Sequence, residues 1–217
     1  MKSKKCFNER MFLVCIFSLG LFAIVSGTSE VFDITSFGAK GDGKTLNTKA
    51  IQLAIDAANK NGGGRVVVPA GRFLTGTVML KSGVDLHLIQ GATLLGSTNY
   101  YDYKRNHSFM GIIIATNQNN IAVSGEGVIN GQGDKVVLSV IHLMKKGILS
   151  DQYRLNRPSE CFRPSLVELY RCKNVKITGV TMEDAACWVS VYDQCNELVI
   201  DGVKIRSIDE GSSVVIQ

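Results

Sequence analysis

Few residues in this 217-residue chain combine a reactive type with a spacing that could do chemistry. Glu183-Asp184 and Asp209-Glu210 are adjacent carboxylates, the groups able to act as general acid and base. On a strand, sequence neighbours point to opposite faces, so both pairs are expected as solvated loop charges. His87, His107 and His142 are scattered without metal-ligand or triad spacing. Arg163 can grip a carboxylate or anchor a loop. Trp188, in Ala186-Cys-Trp-Val, can stack on a flat ligand or fill a core position. This set implies no cofactor and no metal.

Glycine-rich segments offer nucleotide chemistry only superficially. Gly41-Asp-Gly-Lys44 lacks the six-residue frame of a phosphate loop. Gly125-Glu-Gly-Val-Ile-Asn-Gly-Gln-Gly133 has Asn130 in the third-glycine slot, and no helix is expected to open there. Four cysteines remain after the N-terminal segment: Cys161, Cys172, Cys187 and Cys195. They allow three pairings, and buried free thiols are equally compatible with the sequence. The chain has no Cys-x-x-Cys pair, so a zinc ribbon is not expected.

The elements that must position these residues are legible in a repeat. Cys172, Val175, Ile177, Gly179, Val180 and Met182 recur as Cys195, Leu198, Ile200, Gly202, Val203 and Ile205, always 23 residues later. A period of that size marks a solenoid whose units bury their apolar faces against one another. Val-x-Ile, a glycine turn, and Val-x-Met predict two short strands around a bend. A leucine-rich repeat shares the period but needs Leu-x-x-Leu-x-Leu-x-x-Asn and a helical segment, which are missing. Asn120, Ile121, Val123 and Gly125 form a third, less regular copy. The fold class predicted is all-β: a right-handed, single-stranded parallel β-helix.

Upstream, Phe32–Ser36 alternates as a strand. Asn47 is placed to cap a helix over Thr48–Lys60, with Ala50, Ile51, Ala54, Ile55 and Ala58 on one face. That helix would cover the open first coil, where unpaired strand edges invite aggregation. Strands are predicted at Arg65–Val68, Arg72–Thr75, Thr77–Lys81, Val84–Ile89, Ala92–Leu95 and Ile112–Thr116, with Asn99–Tyr103 as a loop. Lys135–Pro164 reads as a long irregular insertion over the binding face.

Residues 1–27 read as an export signal. Lys2, Lys4, Lys5 and Arg10 precede the apolar run Met11–Val25, and Ser26-Gly27-Thr28-Ser29 follows. That run is shorter than the ~20 residues of a spanning helix, so membrane association is expected only if the segment stays uncleaved. Residues 28–217 then form one extracellular β-helix domain. The segment holds a net +3 of the formal +5, which leaves no basic surface calling for nucleic acid. Asn106-His107-Ser108 is a glycosylation acceptor, expected at the surface.

Four segments together carry a family resemblance. They are Phe32-Asp-Ile-Thr-Ser-Phe-Gly-Ala-Lys-Gly-Asp-Gly-Lys-Thr, Gly62-Gly-Gly-Arg-Val-Val-Val-Pro-Ala-Gly, Gly125–Gly133 and Arg163-Pro-Ser-Leu-Val. With them the chain, from about Val31 to Ile208, resembles the N-terminal half of glycoside hydrolase family 28, the polygalacturonases. The resemblance implies inverting hydrolysis of α-1,4-galacturonan in the cell wall, by a secreted monomer, with acidic polysaccharide as the partner. Inversion needs an acid and a base ~6.5–9.5 Å apart, and successive coils supply such a ladder. The family's Asn-Thr-Asp segment, adjacent Asp pair, Gly-His-Gly and Arg-Ile-Lys do not occur in these 217 residues. The expectation is therefore that catalytic residues lie beyond Gln217 and that this chain alone is inactive. Where many relatives carry Trp after Gly-Gln-Gly, this chain has Val136-Val137. Arg163 and Trp188 are the candidate substrate contacts. A non-catalytic acidic-polysaccharide binder and a Ca²⁺-dependent pectate lyase are the alternatives.

Overall fold

The computed structural model describes residues 30–107, 109–151 and 158–207. The signal expected over residues 1–27 and the Asp209-Glu210 pair lie outside these residues. In chain order the elements begin with β1 (Val31–Asp33), β2 (Asp42–Leu46), α1 (Thr48–Lys60), β3 (Gly64–Val68), β4 (Gly71–Thr75) and β5 (Val78–Met79). There follow β6 (Val84–Leu88), β7 (Ala92–Gly96), β8 (Lys104–Arg105), β9 (Met110–Thr116), β10 (Asn119–Gly125) and β11 (Val128–Asn130). The chain continues through α2 (Gly133–Lys145), β12 (Pro164–Tyr170), β13 (Lys173–Thr178), β14 (Thr181–Glu183), β15 (Ser190–Asp193), β16 (Asn196–Asp201) and β17 (Lys204–Arg206).

These strands stack into the parallel β-helix that the repeat predicts. Sheet A runs β1-β3-β6-β10-β13-β16, sheet B runs β17-β14-β11-β7-β4-β2, and sheet C runs β15-β12-β9-β5. Every pairing along these paths is parallel; β8 alone is antiparallel, against β9. Val175 pairs with Leu198 and Ile177 with Ile200, while Ile121 pairs with Val175, as the repeats require. A full coil has three strands rather than two, because the residues before each corner cysteine form sheet C.

Alternation of side chains fixes what is buried. Val66, Leu86, Val123, Ile177 and Ile200 form one inward column through sheet A. The first four are fully buried, and burial of each such side chain contributes roughly 1.5–3 kcal/mol. Ile200, on the outermost described coil, is 51% exposed. At the other end Ile51, Ala54, Ile55 and Ala58 of α1 join the core beneath the first coil, the covering role expected of this helix.

Three local expectations are corrected. The Phe32–Ser36 strand stops at Asp33, because the Asp33 carboxylate accepts from the Thr35 amide (2.8 Å) and hydroxyl (2.6 Å) and folds Ile34–Phe37 into a 3₁₀ turn. Asn47 makes no side-chain cap on α1. Its buried amide instead accepts from Lys40 N at 2.7 Å and donates to the carbonyls of Lys40, Thr45 and Leu74, closing the preceding loop.

The third correction concerns 135–164, which is not irregular throughout: helix α2 opens at Gly133, directly on the glycine-rich segment where the sequence predicts no helix. Val136 and Val140, one turn apart, are buried, and Asp134 sits in the first turn where the helix dipole favours an acid. The left-handed Gln132 (φ 48°) turns the chain from β11 into this helix.

Candidate functional site

The outer face of sheet C gathers the polar and aromatic residues best placed to meet a ligand. Strand alternation sends Val78, Ile113 and Val167 inward, and Met79, Ile114 and Glu168 outward in the same rungs. Two residues further along, Thr116, Tyr170 and Asp193 form the next outward row.

A strap that includes β8 and Phe109 crosses this face. Three successive coils hold it by side chains. Thr77 accepts from Lys104 N (2.7 Å) while donating to Gly111 O (2.7 Å). Thr116 donates its hydroxyl to the Asn106 side-chain oxygen. The buried Glu168 Oε1 accepts from Phe109 N at 3.1 Å. Asn106 Nδ2 donates to the carbonyls of Ala115 (3.2 Å) and Glu168 (3.4 Å), and Arg105 Nη2 donates to Cys161 O (2.7 Å).

Two adjoining depressions lie along the strap. One, about 100 Å³, is bounded by Met79, Lys81, Asn106, Ile114 and Gln118 among others. The second is an open hollow of about 290 Å³, shaped by Met79, Lys104, Arg105, His107, Ile114 and Tyr170 with Asn106 and Thr116. Its floor is apolar and its rim cationic, with no carboxylate among the lining residues. The His107 ring stacks on Tyr170 at 3.9 Å and 9°, and the Arg171 guanidinium lies 4.9 Å from the same ring centre. The Asp193 carboxylate lies 3.9 Å from His107 Nδ1.

The sequence-derived candidates fall as follows. Arg163 is buried and donates from Nη1 to Ala186 O at 2.8 Å, so it anchors the loop that carries Trp188. Trp188 is half-buried and outside the central core cluster, and its carbonyl accepts from Leu166 N. Asn106 is half-buried rather than at the open surface, and its amide is committed to the strap. Glu183 and Asp184 do not diverge. Asp184 takes a left-handed conformation (φ 53°) just past β14, and both carboxylates accept from Asn130 Nδ2, at 3.1 and 2.9 Å.

None of Cys161, Cys172, Cys187 and Cys195 is in a disulfide among the described residues. Cys172 and Cys195 occupy matching corners of successive coils, and burial raises both thiols above their usual range. The Tyr103 phenol, which donates to Ser97 O at 2.5 Å, is likewise raised by burial, with Asp102 adding to the effect. Among the described residues no three His, Cys, Asp or Glu side chains converge as a metal site would need.

Sequence reading missed the strap and the hollow. Their signal is Lys104-Arg105 and His107 beside the tyrosines at 100–103, a cationic and aromatic cluster treated as a plain loop.

Comparison with known proteins follows this geometry. The family described as rhamnogalacturonase A/epimerase, pectate lyase-like, matches residues 31–205. The exo-poly-alpha-D-galacturonosidase of Dickeya chrysanthemi is 46% identical over 123 residues, covering 49% of this chain and 20% of that relative. The crystal structure of a candidate glycosyl hydrolase from Parabacteroides merdae superimposes with a TM-score of 0.75 at 35% identity, covering 82% of this chain and 75% of that one. The family 28 exopolygalacturonase of Yersinia enterocolitica gives a TM-score of 0.69 at 26% identity, over 83% of this chain and 39% of that one. The chain thus spans well under half the length of both named galacturonan-degrading relatives.

Proposed function

Because the chain belongs to the rhamnogalacturonase A/epimerase, pectate lyase-like family, with polygalacturonases of glycoside hydrolase family 28 among its relatives, we propose that it serves in the breakdown of pectin. The substrate class is acidic α-1,4-galacturonan and the reaction type is inverting hydrolysis. The observation that carries this reading is one of extent: the matched residues, 31–205, are those that build the described coils from β1 to β17.

Inversion requires one carboxylic acid at the leaving oxygen and one carboxylate at the attacking water, on opposite sides of the sugar. Glu183 and Asp184 share a single amide donor on sheet B, away from the hollow on sheet C, and do not meet that description. The 217-residue chain alone is therefore expected to bind galacturonan without cleaving it. Export to the wall belongs to the same proposal and rests on residues 1–27.

Incubation of the chain with polygalacturonate, followed by reducing-end release and by co-sedimentation, tests this reading. Binding without release is expected. Failure to bind any galacturonan overturns the substrate class, and release at the rate of an active hydrolase overturns the division between binding and cleavage. A non-catalytic binding role is the second reading, favoured by the carboxylate-free rim of the sheet C hollow.

A further inference from the structure

We propose that the 290 Å³ hollow on sheet C is a subsite for a single carboxylated pyranose, with the Lys104 ammonium as its charge-reading group. The inference rests on the pectin reading above and deepens it by assigning residues to one sugar position. Three features of the hollow select that ligand.

The first is charge. The cations Lys104 and Arg105 line the hollow beside the His107 imidazole, and no Asp or Glu does. The carboxylates nearby have other work: Glu168 is buried and holds the strap, Asp193 lies beside His107, and Asp56 pairs with Lys81 at 2.8 Å. Lys104 is exposed and forms no salt bridge among the described residues, so its charge is available to an incoming anion.

The second is the floor. Met79, 46% exposed, presents the aliphatic surface, while Ile114 beside it is buried at 3%. The C–H face of a pyranose can cover such a surface while its carboxylate reaches the rim. A small inorganic anion would leave the floor wet, and a purely apolar ligand would leave the Lys104 charge unmatched.

The third is rigidity. The Lys104 amide is fixed to Thr77, Arg105 to Cys161 O, and the neighbouring Asn106 to two carbonyls, so the cations stand on a strap tied to three coils. Backbone held this way loses less freedom on binding than a loose loop does, leaving only the Lys104 side chain to be ordered.

Calorimetric titration of the full chain with digalacturonate, and with the neutral isostere α-1,4-galactobiose, tests the assignment. Lys104→Glu is compared with Lys204→Glu, a charge reversal on sheet B. Digalacturonate should bind and galactobiose should not. Lys104→Glu should weaken binding at least about tenfold at unchanged Tm, with Lys204→Glu neutral. Equal binding of both sugars, or digalacturonate binding that Lys104→Glu leaves intact, overturns the subsite while the pectin reading stands. No binding of digalacturonate by the native chain, with long oligogalacturonates still bound, also overturns it; loss of both removes the pectin reading as well.

Discussion

The Asn174 side-chain amide donates to the Asn120 side-chain oxygen at 2.7 Å, and the two residues share a left-handed backbone at φ 51° and 54°. They occupy matching corners of successive coils, where sheet C turns into sheet A. On the next coil the corner position is Glu197, at φ 57°. Asparagine tolerates this conformation better than glutamate does.

Glu197→Asn should therefore stabilise the fold by about 0.5–1 kcal/mol and lengthen the asparagine ladder by one rung. The lost Lys173–Glu197 pair is a long, exposed contact of 3.5 Å that contributes little. Urea unfolding measures the difference; a lower midpoint for the variant would count against the ladder.

The second set of corners, between sheets A and B, ranks its glycines. A Cβ on Gly125 (φ +106°) would come within 2.0 Å of Leu88 O, whereas one on Gly202 (φ +62°) meets nothing nearer than Gly179 Cα at 3.7 Å. Gly125→Ala should cost about 3 kcal/mol or more, and Gly202→Ala about 1 kcal/mol. Equal costs in chemical denaturation would contradict the stacking of these corners.

Asp42 supplies a pH signature. Hydrogen bonds from the Thr45 amide and hydroxyl, then from the Lys44 amide, hold its carboxyl at about 2 against an ordinary 3.8. A depressed folded-state pKa contributes stability above the unfolded value that is lost as pH falls toward the folded one. Thermal midpoints should drop between about pH 4 and pH 2, and Asp42→Asn should flatten that part of the profile. An unchanged slope in the variant would remove Asp42 from the account.

The coils were legible because one period, 23 residues, repeats without a gap and puts like residues in register. Helix α2 is not legible although Val136 and Val140 carry its spacing, because the surrounding segment shows no repeat. The strand rule that sends Glu183 and Asp184 to opposite faces stops applying where Asp184 turns left-handed. The strap was hidden for a different reason. Its anchors, Thr77, Thr116 and Glu168, come from three coils far apart in sequence, and only folding brings them to one face.

Hydrogen exchange of the 217-residue chain, with and without a long oligogalacturonate, tests the central claim most directly. Slowed exchange at residues 104–107, 110–116 and 164–170, with sheet B strands β7, β11 and β14 unchanged, is the predicted footprint. Protection confined to sheet B, or no protection anywhere at saturating ligand, would contradict the assignment of sheet C as the face that meets an acidic polysaccharide.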